Sequence, residues 1–228
     1  MNRYSYLEKL NSFKTPPIDF EDWGISDYAD ELGIERHCYQ LYRYFVKDFI
    51  QSDWTVMDIK CGTGISLHTL KKEFNLKKCV GYNSIQSELE TCKNGYDDIS
   101  FYKDFLLSKQ KNANLIIAID SFSDYDNKSA LLLRLSQALT DDGYLCIIQG
   151  TDNEYEYMNY IKTLERVHGL SKIYHSNISQ HILNGIDKVS RFTDGSYAVA
   201  YADVSKNLIN YSDTYKYFVT IMKNNLTN

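Results

Sequence analysis

Val56-Met57-Asp58-Ile59-Lys60-Cys61-Gly62-Thr63-Gly64-Ile65 is the stretch whose reading decides the fold. It reads as a short apolar strand closing on an acid, then a glycine-rich turn, then the start of an amphipathic helix. Glycines at 62 and 64 let the backbone pass close to a ligand. The helix start offers unpaired N–H groups at the positive end of its dipole. Together they predict a cradle for the polar end of a nucleotide-like cofactor. A dinucleotide fingerprint needs G-x-G-x-x-G, but Leu67 stands at its third glycine and Lys60 two residues before Gly62. That motif is not met, which argues against a nicotinamide dehydrogenase.

Working outward, strand-like and helical runs alternate. Trp54 to Ile59 reads as a strand and Ile65 to Phe74 as a helix. Lys78 to Tyr82 is a strand, Ile85 to Lys93 a helix, Ile99 to Tyr102 a short strand and Leu115 to Ile119 a fully apolar one. Lys128 to Leu139 is helical, and Asp141-Asp142-Gly143 turns the chain into the strand Tyr144 to Gln149. A helix over Glu154 to His168, a strand over Ser171 to Asn177 and a last strand over Tyr215 to Met222 follow. Strands apolar on both faces and separated by helices predict an α/β fold, a seven-stranded, mostly parallel sheet covered by helices on both sides. Upstream, Ile34 to Ile50 carries Cys38, Leu41, Tyr42, Phe45 and Phe49 at three- and four-residue steps and reads as an amphipathic helix. Pro16 and Pro17 set off an N-terminal arm, residues 1–33, from a single domain over 34–228 with a variable substrate-side region near 179–210.

Composition bounds the function. The chain has 228 residues, 43% hydrophobic and 24% charged, as one globular domain does. A net charge of -5 argues against tracking a nucleic-acid backbone, so no nucleic-acid partner is expected. No apolar run reaches the ~20 residues of a membrane span, and Met1 to Phe13 lacks a secretory apolar core. Five cysteines without C-x-x-C spacing read as free thiols of a cytoplasmic protein, monomer or homodimer.

In a sheet of this kind a ligand sits beyond the carboxyl ends of the strands. Strand one delivers Asp58 and the Gly62/Gly64 turn. Strand two delivers Asn83 and Ser84, where an amide could bond a ribose. Strand three delivers Asp104 and Phe105, with an acid able to accept from an adenine amino group. Strand four delivers Ile119 and Asp120, with Asp124 close behind, beside the reacting centre. One acid after a strand is often a turn or cap residue; four strand ends in register carry more.

At these residues the chain resembles the class I S-adenosylmethionine-dependent methyltransferases. Asp58 to Gly64 looks like their D-x-G-x-G-x-G motif, and Leu139-Thr140-Asp141-Asp142-Gly143-Tyr144-Leu145 like their L-x-x-G-G segment. Leu115 to Gln149 is similar to small-molecule N-methyltransferases of the phosphoethanolamine and glycine-sarcosine type. Ile119 to Asp124 sits where those carry D-x-x-x-H, and Tyr217 to Lys223 looks like their closing strand. The resemblance covers most of Trp54 to Gln149. It implies a Rossmann-like sheet whose last strand is antiparallel. It also implies S-adenosylmethionine as cofactor, S-adenosylhomocysteine as product, and methyl transfer to a small molecule, with an amine nitrogen expected and oxygen or carbon open. Asp58, Lys60, Gly62, Gly64, Asn83, Ser84, Asp104, Phe105 and Ile119 become the cofactor-binding set, and Asp120, Asp124 and Tyr28 the catalytic one.

The sequence also departs from that pattern. Lys60 replaces a glycine, Asn83 the usual ribose-binding acid, and Asp124 a histidine. These departures motivate an alternative, a protein that binds the cofactor without transferring its methyl group. The N-terminal aromatics Tyr4, Tyr6, Phe20, Trp23 and Tyr28 suit a lid over a cation. His175, His181 and Cys61 read as packing residues, since neither histidine has zinc-ligand partners at suitable spacing.

Overall fold

A computed structural model describes residues 39, 41–183 and 215–225. Seven strands form one sheet: β1 (Thr55–Asp58), β2 (Lys78–Tyr82), β3 (Ser100–Tyr102), β4 (Ala113–Ile119), β5 (Leu139–Thr151), β6 (Leu170–Asn177) and β7 (Lys216–Asn224). Their order is β3-β2-β1-β4-β5-β7-β6. The first five run parallel, while β7 is antiparallel to both β5 and β6. Each strand expected from the sequence is present.

Alternation along the strands explains why helices cover both faces. Val56 of β1 and Leu115 and Ile117 of β4 enter one core, with Leu67 and Leu70 of α1 (Ile65–Phe74) and Leu89 and Cys92 of α2 (Gln86–Gly95). Met57, Ile116 and Ala118 point the other way. There they meet Leu131 and Leu135 of α3 (Lys128–Ala138) and Ile161 and Leu164 of α4 (Glu154–His168). Each fully buried leucine or isoleucine contributes about 2 kcal/mol, so period-two strands between period-3.6 helices hold the sandwich together. Helix ends follow from local chemistry. Asn127 and Asn153 cap α3 and α4 by accepting from Ala130 N and Glu156 N. Gly169 ends α4 in the left-handed conformation.

Two sequence expectations change. Asp141-Asp142-Gly143 does not stand outside the sheet as a turn but lies within β5 as a bulge. Ala113 and Leu115 of β4 face Leu139 and Tyr144, so three extra residues of β5 are absorbed between them. The amphipathic helix near Ile34 to Ile50 is regular at 39 and 41–44 and gives way to turns over 45–49. There Val46 N donates to the Arg43 carbonyl and Phe49 N to the Val46 carbonyl. The arm 1–33, with Tyr28, and most of the variable region, from 184 on, lie outside the described residues.

β1 pairs with β2 on one side and β4 on the other. The winding reverses there, and the crevice past the ends of β1 and β4 is where a doubly wound sheet receives its ligand.

Candidate functional site

The turn after β1 is fixed by backbone bonds to both neighbouring strands. Ile59 N donates to the Ile117 carbonyl of β4 (3.1 Å) and Cys61 N to the Tyr82 carbonyl of β2 (3.0 Å). Gly62 and Gly64 have φ of 52° and 85°, which favours glycine at both. Gly64 is the first flanking residue of α1, and no side chain caps that helix. Its first-turn N–H groups have no partner within the helix, so the positive end of the dipole faces the crevice side of the turn.

Asp58 ends β1 fully buried. Its Oδ1 accepts from Lys60 N at 3.0 Å, while Oδ2 has no hydrogen-bond partner. Burial pushes its carboxyl up to about 7, against the opposing pull of the Lys60 amide, the Tyr42 hydroxyl and the Lys60 charge. Across the switch point, Ser121 is also fully buried, with an unpartnered Oγ. Two buried polar atoms without partners at adjacent strand ends fit a crevice that receives a polar group.

Asn83, at the end of β2, is buried and holds the turn. Its Nδ2 donates to the Gly62 carbonyl at 2.7 Å and to Glu88 Oε2 at 2.6 Å, and its Oδ1 accepts from Ile85 N at 2.8 Å. Cys92 Sγ adds a contact to the Gly62 carbonyl at 3.2 Å. With that carbonyl turned toward Asn83, the Thr63 N–H of the same planar trans peptide points the opposite way. Sequence reasoning missed Glu88, the one acid in the first turn of α2. The signal available was its place five residues after Asn83. Ser84 beside it is exposed.

At the end of β3, exposed Asp104 accepts from Leu106 N (2.7 Å) and Leu107 N (3.4 Å), closing a local turn. The Phe105 ring is fully buried, edge-on to Tyr82 at 5.2 Å and under the Arg134 guanidinium at 5.0 Å. Only its backbone can face a ligand.

Asp120 follows buried Ile119 with φ of 44°, a conformation rare for aspartate. Its carboxylate explains the strain. Oδ1 accepts from Gly150 N at 2.8 Å, and Oδ2 accepts from the Tyr217 hydroxyl at 3.1 Å. Asp120 thus ties β4 to the ends of β5 and β7. Four residues on, Asp124 Oδ2 lies 2.5 Å from Lys60 Nζ, which also donates to the Asp120 carbonyl at 3.2 Å. The structure therefore brings Asp58, Lys60, Asp120 and Asp124 together across β1 and β4, with Asn83 bracing the turn from β2. Tyr217 and Glu88 join this set as partners that sequence reasoning did not single out.

The remaining candidates pack. His175 Nδ1 bonds Thr220 Oγ1 at 2.9 Å, with its ring stacked on Phe218. Contact with Cys92, then burial, push the Cys61 thiol up, which keeps it protonated. Among the described residues no His/Cys/Asp/Glu group is arranged to hold a metal ion, and no helix is long and apolar enough to cross a membrane.

Solved structures share this architecture closely. The [4+2]-cyclase SpnF aligns with TM-score 0.75 at 12% identity, over 99% of this chain and 94% of its own. The chain has a Rossmann-like fold that solved methyltransferases share. A provisionally assigned sarcosine dimethylglycine methyltransferase from Galdieria sulphuraria aligns with TM-score 0.72 at 11% identity, covering 89% of this chain and 92% of that one. A geranyl diphosphate methyltransferase in complex with SAM gives TM-score 0.66 at 13% identity, covering 90% and 98%. No model of a known family matches the sequence, and no curated protein does.

Proposed function

We propose that the chain binds S-adenosylmethionine in the crevice past β1 and β4 and transfers its methyl group to a small molecule, with an amine nitrogen as acceptor. The observation that carries this reading is the glycine turn itself. It has two positive-φ glycines, a buried acid before them and an uncapped helix start after them, all at the switch point of the sheet. The fold supports it, since neighbours named as methyltransferases, one of them in complex with SAM, share it. When bound, the sulfonium supplies an already activated methyl group, leaving the protein chiefly to bind and align.

The chain's own residues divide that work. The Gly62/Gly64 turn cradles the cofactor, and Asn83 keeps the turn in shape. Glu88, drawn in by Asn83, takes the hydroxyl-binding role that an acid at position 83 would have had. Asp104 is assigned to accept from the adenine amino group with the carboxylate oxygen that the Leu106 and Leu107 amides leave open, and Ser84, Ile119 and the Phe105 backbone to wall the base. Asp120, steered by Gly150 N–H and the Tyr217 hydroxyl, faces the acceptor side, where a carboxylate orients an amine and takes up its proton. Tyr28, outside the described residues, is kept as a catalytic candidate on its sequence alone. Cys61, Cys79, Cys92 and Cys146 are free thiols, which suits a cytoplasmic setting.

A second reading is catalysis or regulation with the cofactor bound but its methyl retained. The likeness to a protein named as a [4+2]-cyclase favours keeping it. Incubation with S-adenosylmethionine and a panel of amines, phenols and acids separates the two. Acceptor-dependent release of S-adenosylhomocysteine is expected. Tight cofactor binding with no release across the panel would give the second reading precedence.

A further inference from the structure

Lys60 stands where a turn of this kind has no need of a side chain. Its φ is not among the positive ones, so the residue costs the turn nothing, yet it places an ammonium over the end of β4. There Nζ meets Asp124 Oδ2 at 2.5 Å and the Asp120 carbonyl at 3.2 Å. Asp124 is steadied from its other oxygen, where Oδ1 accepts from Ser123 Oγ at 3.1 Å. The two side chains retain 26% and 32% of their exposure. The pair therefore bridges the turn after β1 and the segment after β4 and stays partly open to solvent.

We propose that this ion pair is the docking point for the amino-acid end of the cofactor, a role that rests on the S-adenosylmethionine reading above. The Lys60 ammonium takes the α-carboxylate, and the Asp124 carboxylate takes the α-ammonium. A part-exposed ion pair contributes only about 0–1 kcal/mol, so it opens readily. A zwitterion returns to each partner a charge of the sign it gives up, so the exchange leaves neither one unpaired. The uncapped start of α1, immediately beyond the turn, adds its dipole on the carboxylate side. Asp124 then belongs to cofactor recognition and leaves acceptor chemistry to Asp120. The chain would discriminate by the amino-acid end, preferring nucleosides that carry it over truncated ones.

Calorimetric Kd values test this on the full chain with two probes. One is S-adenosylhomocysteine; the other is 5′-methylthioadenosine, the same nucleoside thioether without the amino-acid end. Lys60→Met and Asp124→Asn should each weaken the first probe by about tenfold or more, the usual worth of a charged hydrogen bond. Both should leave the second within about twofold, which also shows the variants are folded, and Lys60→Arg should keep most of the affinity. If Lys60→Met binds S-adenosylhomocysteine as well as wild type or better, the pair merely covers the crevice and the inference is overturned. Equal losses for both probes would overturn it too, since the pair would then act only through the fold. If wild type binds neither probe, the cofactor reading itself fails and takes this inference with it.

Discussion

Replacing Asp58 by asparagine is expected to flatten the pH dependence of stability between about pH 4 and about pH 7. Burial pushes this carboxyl up to about 7, about three units above an aspartate in the unfolded chain. Within that window the folded protein holds a proton that the unfolded chain has released. Stability from this group is therefore complete below about pH 4 and is lost as pH rises through about 7. At about 1.4 kcal/mol per unit the loss sums to about 4 kcal/mol. The introduced asparagine does not titrate, and its Oδ1 can still accept from the Lys60 amide as Asp58 does at 3.0 Å. Its Nδ2 would lie where the carboxylate Oδ2 has no partner, a pH-independent cost of about 1–3 kcal/mol. Urea unfolding of both proteins, read as a difference from about pH 4.5 to about pH 7.5, cancels every other titration. The variant should gain on wild type by several kcal/mol across that range. A difference constant to within about 1 kcal/mol would show that Asp58 is ionised at the foot of the crevice, and the argument from its burial would be wrong.

Three further changes probe the frame of the site. A methyl at Gly81 would lie 2.7 Å from the Phe101 ring and 2.8 Å from Cys61 Sγ. Gly81→Ala should therefore cost about 1–3 kcal/mol in thermal unfolding, and an unchanged melt would mean the β2–turn contact is loose. Asn83→Asp removes the donor to the Gly62 carbonyl and sets a carboxylate against Glu88. It should lower stability by about 1–3 kcal/mol, whereas a gain would show that position 83 is not a brace. Thr220→Val strands the Tyr157 hydroxyl and His175 Nδ1, held at 2.6 and 2.9 Å. A loss of about 1–3 kcal/mol is expected, checked by denaturant midpoint.

Much of this molecule was legible in the chain because it is written locally. β4 and the inner half of β5 are apolar on both faces, and α4 was read to its end residues because Asn153 caps it and Gly169 stops it. The strand-end residues Asp58, Asn83, Asp104 and Asp120 followed from strand ends alone. Their partners did not. The Tyr217–Asp120 bond joins residues 97 apart in sequence, and Gly150–Asp120 joins residues 30 apart. No periodicity encodes such pairings. Asp141-Asp142-Gly143 carries turn residues, yet β4 pairs on either side of it and draws it in as a bulge. Lys60 read as a lapse from a motif; its contacts to Asp124 and to the Asp120 carbonyl are visible only in the fold. Asn83 likewise changes meaning once its amide is seen spent on the turn and on Glu88.

Isothermal titration of the wild-type chain with S-adenosylhomocysteine tests the cofactor crevice most directly. One-to-one binding with Kd at about micromolar or tighter is expected, competed by S-adenosylmethionine. No detectable heat at about millimolar ligand would contradict it and leave the sheet and its glycine turn without the ligand assigned to them.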